Sequence, residues 1–473
     1  MLLPAVASAQ VPPGPASPTA PAPATPAPAV APAPEAPVVG PDPSMAPSPT
    51  DEAMAPVSAP VDAPAPATGP MNEDFVRAVV DGMPKPFEFH GYLRSGFGLN
   101  GKGGELESFG IPGTFGYKYR LGNETDTYGE AVLRANWLNP SGDGATFATQ
   151  ILIGFKSSGN NNYDDSVEFR IREAFAEAGN VIPQMPGATF WAGQRFYQRH
   201  DVHLLDYFFL DMSGLGGGFQ NFKAGPGKLS VAFLGGAASD ADPTFSFGRR
   251  TKKNLDIRYN DIQLPDGSLL SAWADLVFHS PSASDEDTIF GFSGALIHFK
   301  GGLLGGFNKL VVQYGQGPGA GFNTYLGNDN TDASNLRITE QLQIQPFPRL
   351  SLMAVGALQR YDNGGDYTAN WVSVGVRPIY HFTQYLSVAT ELGLDYATQD
   401  NPTDTADGVT GQMAKLTIAP QLTPGANFWA RPSIRAFATI AFWNDDVQGQ
   451  VGGSAYGAAT HGTSFGLQAE SWW

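Results

Sequence analysis

Short runs of alternating apolar and polar residues fill the chain from Phe87 to Trp473 and predict many antiparallel strands. In the run 386–396, the even positions are mostly apolar, whereas the odd positions carry Ser, Ala, Glu, Gly and Asp. The final run opposes Phe465, Leu467, Ala469 and Trp473 to Gly466, Gln468, Glu470 and Trp472. Because side chains alternate across a strand, each predicted strand has one apolar face and one small or polar face.

The alternation alone fits either a soluble sandwich or a membrane barrel. The residues on the polar face distinguish between these two folds. In the run 429–435, two arginines share a face with Trp429, and small or apolar residues share the other. A solid core would have to bury such charges, which is costly without partners. A closed barrel avoids this cost, because its lumen can be wet and polar while lipid covers the apolar face.

The predicted fold is therefore all-β, with a single large antiparallel transmembrane β-barrel over residues 87–473. If each strand with its connection takes about 21 residues, residues 87–473 form about 18 strands, and 16 strands fit almost as well. Apolar stretches do not reach the roughly 18 uninterrupted residues of a membrane helix. A helical membrane protein is therefore excluded.

Residues 1–86 have a different composition. Residues 1–70 hold no Phe, Tyr or Trp, and 21 of the 39 prolines lie within them. Such Pro/Ala repeats favour extended polyproline II and cannot bury enough apolar surface to fold. We therefore expect residues 10–70 to be a disordered linker and residues 71–86 a short helix or linker. Residues 1–9 end in an A-x-A-like cleavage site and are interpreted as the remnant of a secretory signal, or else as the head of the proline-rich arm.

The charge balance and the absence of cysteine exclude several functional classes. The chain has 28 basic and 45 acidic residues and a formal net charge of -17, which argues against a nucleic-acid partner. With no Cys, disulfides, thiolate metal sites and cysteine nucleophiles are excluded.

Several long motifs resemble the maltoporin family. They are the segments 89–101 (FHGYLRSGFGLNG), 119–130 (YRLGNETDTYGE), 191–206 (WAGQRFYQRHDVHLLD), 306–314, 374–380 and 431–439, and the final Trp472-Trp473. The resemblance runs from about residue 87 to the end and leaves out the proline-rich arm. It implies an 18-stranded, trimeric channel of the bacterial outer membrane for maltose and maltodextrins, in which segment 191–206 constricts the pore.

The resemblance also implies an aromatic slide that lines the pore, formed by Tyr92, Tyr128, Phe307, Trp429 and Trp472. Strand faces support this independently: Tyr92 shares a face with Arg94, Tyr128 with Glu130, Phe307 with Lys309, Trp429 with Arg431, and Trp472 with Glu470. A sugar ring has an apolar face and an equator of hydroxyls, so flat rings beside charged groups suit it. The alternative for each ring is a packing or membrane-interface role.

A polar track is implied beside the slide, formed by Arg94, Arg120, Glu130, Arg172, Arg199, Asp201 and Asp206. Both signs of charge are needed, because a hydroxyl is a donor and an acceptor at once. The alternative for each residue is a solvated wall charge or an ion pair that holds a loop folded. The spacing of His200, Asp201, His203 and Asp206 suggests a metal site only weakly, because helical context is missing. We therefore predict no metal, no cofactor and no enzymatic activity.

The chain departs from the family pattern in three respects. Ser108 and Thr125 stand where the family has disulfide partners, so the first loop must be held differently or is looser. Phe208 stands where the constriction of the family carries a tyrosine, which puts selectivity for linear maltodextrins in doubt. Tyr163 lies near the position of a second-loop residue that, in the family, reaches a neighbouring subunit.

The sequence thus predicts a passive channel for maltose-type sugars, and a channel of broader saccharide specificity or a general porin is the alternative. A structural tether or a lipid-hydrolysing barrel belongs to another functional class. The expected partners are an oligosaccharide substrate, outer-membrane lipid and two further copies in a homotrimer. The arm is expected in the periplasm, with possible cell-wall contact through residues 10–70.

Overall fold

A computed structural model describes residues 86–124, 126–139, 144–157, 167–236, 251–280, 288–325, 330–400 and 408–473. Residues 1–85, which hold the predicted signal remnant, the linker and almost all of the short helix, lie outside the described residues, as do Thr125 and Tyr163.

The described part of the chain forms eighteen strands. They are β1 (Phe87–Asn100), β2 (Tyr128–Leu138), β3 (Thr146–Ser157), β4 (Val167–Gly179), β5 (Thr189–Val202), β6 (Tyr207–Ala224), β7 (Gly227–Gly236), β8 (Thr251–Gln263), β9 (Leu269–Ser280), β10 (Ile289–Leu303), β11 (Gly306–Gln316), β12 (Ser334–Phe347), β13 (Leu350–Asp362), β14 (Thr368–His381), β15 (Leu386–Asp400), β16 (Val409–Leu422), β17 (Ser433–Trp443) and β18 (His461–Trp472). Single helical turns lie at Gly317–Gly321, Asp445–Val447 and Gly453–Tyr456. The helices among these residues are too short and too polar to cross a membrane.

Consecutive strands pair antiparallel throughout, and β1 pairs with both β2 and β18. Tyr92 shows the closure directly, since it lies opposite Glu130 of β2 and opposite Trp472 of β18. The sheet is therefore a closed barrel of eighteen strands, which confirms the predicted fold. Closure gives the first and last strands a hydrogen-bonding partner and removes exposed edges.

The two faces of the wall differ as the alternation predicts. On β15, Leu394 is 48% exposed, whereas the neighbouring Asp395 is 5% exposed. On β18, Leu467 is 61% exposed and Glu470 only 3%. The apolar residues therefore face outward and the charged residues face the lumen.

The connections differ in length at the two ends of the barrel. Where β1 begins, several connections are short turns, such as residues 225–226, 304–305 and 348–349. At the opposite end the connections include long loops, such as residues 101–127 and 317–333. We call the two ends the short-turn end and the long-loop end.

The first loop (residues 101–127) folds into the lumen and crosses to the far wall. The Tyr119 hydroxyl lies 2.7 Å from Ser373 Oγ of β14, and Leu121 N–H donates to Glu391 Oε1 of β15 at 3.1 Å. Thr417 Oγ1 of β16 donates to the Leu121 carbonyl, also at 3.1 Å. The loop thus covers part of the lumen face of β14 to β16.

The constriction hairpin (residues 198–213) also leaves the wall, and it consists of the adjoining ends of β5 and β6 with their connecting turn. Gln341 Nε2 donates to the Asp201 carbonyl at 3.1 Å, and Gln313 Nε2 donates to the Phe209 carbonyl at 2.7 Å. The first loop meets the hairpin, because Arg120 N–H donates to the Leu204 carbonyl at 3.1 Å. The two inward segments together narrow the lumen.

Two glycines of the far wall form the docking site of Tyr119. Gly375 of β14 and Gly393 of β15 lie directly opposite each other, and a Cβ atom at either would overlap the Tyr119 ring. The absence of side chains at both positions therefore lets an aromatic ring lie flat against the sheet and fixes the first loop on the wall.

We expect Gly393→Ala to displace the Tyr119 ring and to release the first loop, since overpacking of this kind costs about 1–3 kcal/mol. Trypsin should then cut after Lys118 in the folded barrel much faster than in the wild type. Gly356→Ala is the matched control, because the nearest heavy atom to an added Cβ there is 3.9 Å away. Equal cleavage rates in Gly393→Ala and the wild type would show that Tyr119 does not anchor the loop.

Candidate functional site

Four of the five predicted slide rings lie together on the lumen side of the barrel. The ring centroids of Tyr92 and Tyr128 are 6.1 Å apart, and Trp472 packs against this pair. Trp429 continues the group, with its ring 6.3 Å from that of Trp472. Phe307 lies apart from them and packs on Phe299, at 5.7 Å between centroids.

Trp429 reaches this group from a turn and not from a strand. The alternating run 429–435 predicts a strand through Trp429, but β17 begins only at Ser433. Pro432 has no N–H to contribute to a strand ladder, which favours a start after it. In the turn, Trp429 N–H donates to Asn427 Oδ1 at 3.0 Å, which helps to fix the position of the ring.

The predicted track residue Arg94 lies on β1 beneath the first loop. Its Nη1 is 2.9 Å from Glu124 Oε1 and 4.0 Å from Asp206 Oδ2 of the constriction hairpin, and its Nε is 2.9 Å from Asp126 Oδ1. Arg94 therefore joins the wall, the first loop and the hairpin through charged groups.

Glu470 of β18 is the centre of a second charged group, which the sequence did not single out as part of the track. Its carboxylate accepts from Arg120 at 2.9 Å, from Arg431 at 2.8 Å and from Arg435 at 3.0 Å. Arg120 also donates to the Tyr92 hydroxyl at 3.0 Å. The sequence did indicate that Glu470 faces the lumen, because it shares a strand face with Trp472. Sequence alone does not show that three arginines converge on this carboxylate.

Arg199 lies in the constriction hairpin against two aromatic rings. Its guanidinium carbon lies 3.5 Å from the Phe196 ring centroid and 4.2 Å from that of Phe208. The guanidinium carbon of Arg172, on β4, lies 5.4 Å from the same Phe196 ring centroid. Phe208, placed at the constriction by sequence, thus covers one face of the Arg199 guanidinium.

Three buried atoms of the predicted track have no hydrogen-bond partner among the described residues. They are Arg199 Nη1, Glu130 Oε2 and Asp206 Oδ1. The other oxygen of Glu130 accepts from the Tyr128 hydroxyl at 2.5 Å, so one side of this carboxylate is held by Tyr128. One donor and two acceptors thus keep unused hydrogen-bonding capacity.

His203 connects the hairpin turn to two of the predicted slide rings. Its ring lies 5.0 Å from the ring of Trp429 and 6.3 Å from that of Trp472, both in edge-on geometry. Its neighbour His200 stacks on Phe209 at 5.3 Å. Within the described ranges, no group of three or more His, Cys, Asp or Glu side chains is arranged to hold a metal ion.

Asn123 holds the first loop near the position where the family has a disulfide. Its Oδ1 accepts from Phe109 N–H at 3.1 Å, while its Nδ2 donates to the carbonyls of Phe109 at 3.0 Å and of Tyr119 at 2.8 Å. Phe109 follows Ser108 directly, so hydrogen bonds join the same two parts of the loop. The loop is held differently, as one of the two sequence expectations stated.

A closed barrel with an apolar outer face, a charged lumen and an inward constriction hairpin has the architecture of an outer-membrane porin. Residues 87–473 match the LamB porin family, and the chain belongs to this family. It is therefore a passive channel of the bacterial outer membrane, and the resemblance to maltoporin is confirmed. Short turns of such barrels face the periplasm, so the short-turn end is the periplasmic end.

Three solved structures illustrate the similarity at low sequence identity. OccK2 of Pseudomonas aeruginosa is 11% identical, with 82% of this chain and 97% of that chain covered and a TM-score of 0.47. DcaP of Acinetobacter baumannii is 14% identical, with 82% and 97% covered and a TM-score of 0.41. The anion-selective porin from Comamonas acidovorans is 9% identical, with 82% and 99% covered and a TM-score of 0.39.

We expect Glu470→Gln to shift ion selectivity toward anions, because three arginines then lose their shared counter-charge. A unit charge at about 4 Å is worth about 1 kcal/mol in water, enough to change a permeability ratio several-fold. The measurement is the zero-current potential across a salt gradient in a planar bilayer. Glu168→Gln is the control, since Glu168 forms an exposed pair with Arg170. An unchanged potential in Glu470→Gln would show that Glu470 does not face the ion path.

Proposed function

We propose that the channel conducts linear maltose-type oligosaccharides along the slide of Tyr92, Tyr128, Trp429 and Trp472. The observation that carries this proposal is the unused hydrogen-bonding capacity of Arg199, Glu130 and Asp206. Buried polar atoms are nearly always paired in proteins, so unpaired donors and acceptors beside aromatic rings suit a transient polar ligand. Sugar hydroxyls supply both hydrogen-bonding roles.

The proposed path uses rings for the apolar face of each sugar and charged groups for its hydroxyls. Tyr92, Tyr128 and Trp472 lie close enough for one sugar ring to leave one aromatic ring as it reaches the next. Arg94, Arg120 and Glu130 flank these rings, so that hydroxyls exchange partners during the movement. Many weak sites conduct faster than one tight site.

In this proposal, the remaining predicted residues contact the sugar farther from the Tyr92 group of rings. Phe307 lies near the periplasmic end of β11, with Lys309 Nζ at 5.9 Å from its ring, and would meet sugars on their way out. Arg172 and Asp201 would border the constriction. The backbone of Asp201 already anchors the hairpin, so its side chain would be the part that meets the sugar.

A broader saccharide channel is the second candidate, and Phe208 favours it. The Phe208 ring covers Arg199 but offers no hydroxyl for a hydrogen bond, which weakens discrimination among sugars. A channel of this kind is distinguished by saturable block with sucrose as well as with maltohexaose.

We infer a homotrimer in outer-membrane lipid, because the outer wall is apolar and the family resemblance implies trimers. The arm would be a periplasmic spacer, with cell-wall contact through residues 10–70. Its support is the position of Pro86, whose carbonyl accepts from Asn136 N–H at 2.9 Å at the periplasmic end. A protease that trims residues 10–70 from outside intact cells would overturn this placement.

Maltohexaose added to a planar bilayer should block ion current in a saturable manner, and Trp429→Ala should weaken the block by roughly 1–3 kcal/mol, the scale of one large aromatic contact. Trp137→Ala is the matched control, because Trp137 is an exposed tryptophan at the same end of the barrel. Absence of saturable block in the wild type would end the sugar-channel proposal. Unaltered affinity in Trp429→Ala would remove Trp429 from the slide.

A further inference from the structure

A second row of charged side chains lies on the lumen face at the periplasmic end, outside the slide and the predicted track. We call it the exit track, and it consists of Glu88, His90, Arg134, Asn136, Glu177 and Arg195. These residues come from β1, β2, β4 and β5, all within a few residues of the short-turn end. The exit track therefore runs around part of the periplasmic mouth.

Donors and acceptors alternate along the row. Glu88 contacts His90 Nε2 at 3.0 Å and accepts from Asn136 Nδ2 at 2.5 Å. Arg134 then donates to Asn136 Oδ1 at 3.2 Å and to Glu177 Oε1, whose other oxygen is 3.8 Å from Arg195 Nη1. Such a row presents both hydrogen-bonding roles to a ligand at short intervals.

The exit track has an aromatic side as well. The Arg195 guanidinium carbon lies 4.6 Å from the Phe175 ring centroid and 5.4 Å from that of Trp191. Arg195 Nη1 and Trp191 Nε1 are buried atoms without a hydrogen-bond partner among the described residues. Unused donors beside rings thus occur here too, as they do at the constriction.

The exit track is accessible and continuous with the slide. The charged side chains of Glu88, Arg134, Glu177 and Arg195 keep 28%, 23%, 14% and 13% of their surface exposed. His90 lies two residues from Tyr92 on the same face of β1, so the row begins beside this ring of the proposed slide. A sugar that leaves Tyr92 toward the periplasm would meet the exit track next.

We propose that the exit track is a second carbohydrate subsite, which binds the leading end of a linear oligosaccharide at the periplasmic mouth. This inference rests on the proposed function. The subsite would take up sugars from the periplasmic side, and it would add affinity only for chains long enough to reach it from Trp472. A network that merely stiffens the rim would show neither property.

The test measures association rates of maltohexaose from current fluctuations, with sugar added to one side of the bilayer at a time. Arg195→Gln and Glu177→Gln should each lower the rate from the periplasmic side about three- to tenfold, the scale of one net hydrogen bond. The rate from the extracellular side should change much less, since a sugar that enters from that side binds other groups before it reaches the exit track.

Lys228→Gln is the matched control, because Lys228 pairs with Asp261 at 2.7 Å at the same end of the barrel. Its rates should equal those of the wild type on both sides. If the wild type is blocked and both exit-track variants keep its periplasmic rate, the exit track is overturned and the proposed function stands. An equal loss on both sides, together with lower thermal stability, would assign the row to structure and would also overturn the subsite. A wild type without block would overturn both proposals.

Discussion

A single layer of backbone separates lipid from water in this protein, and that layer must satisfy all of its own N–H and C=O groups. The pairing of β1 with β18 meets this requirement, because it leaves the wall without an open edge. Once the wall is closed, strand alternation alone decides which side chains meet hydrocarbon and which meet the lumen. Every lumen contact described above depends on that alternation.

A lumen lined with charges must also keep some charged groups unpaired if it is to bind a ligand, since opposite charges tend to pair with each other. Glu470 shows the paired case, with three arginines on one carboxylate. Arg199 shows the opposite case, because its guanidinium lies against the rings of Phe196 and Phe208 and its Nη1 has no hydrogen-bond partner among the described residues. Aromatic rings in this lumen can thus keep a charged group available, in addition to any contact they make with a sugar.

The sequence was sufficient for the barrel and the orientation of both faces, and it favoured the observed eighteen strands although sixteen fitted almost as well. These features follow from alternation within single strands or from long motifs. The Tyr119 docking site was not predictable, because it requires the register between two strands about 250 residues further along the chain, where Gly375 and Gly393 meet. The convergence of Arg120 on Glu470 escaped prediction for the same reason, with 350 positions between the two residues.

The wall of eighteen strands does not by itself set the width of the path, because a barrel of this size encloses a wide aqueous lumen. The first loop and the constriction hairpin narrow this lumen, and they meet where Arg120 N–H and Lys118 N–H donate to the carbonyls of Leu204 and Leu205. Both contacts use backbone groups, so side chains at these positions can change while the two segments stay joined. Pore chemistry can therefore change through a residue such as Phe208 without any change in the wall, and this separation explains how a departure at the constriction is compatible with an intact barrel.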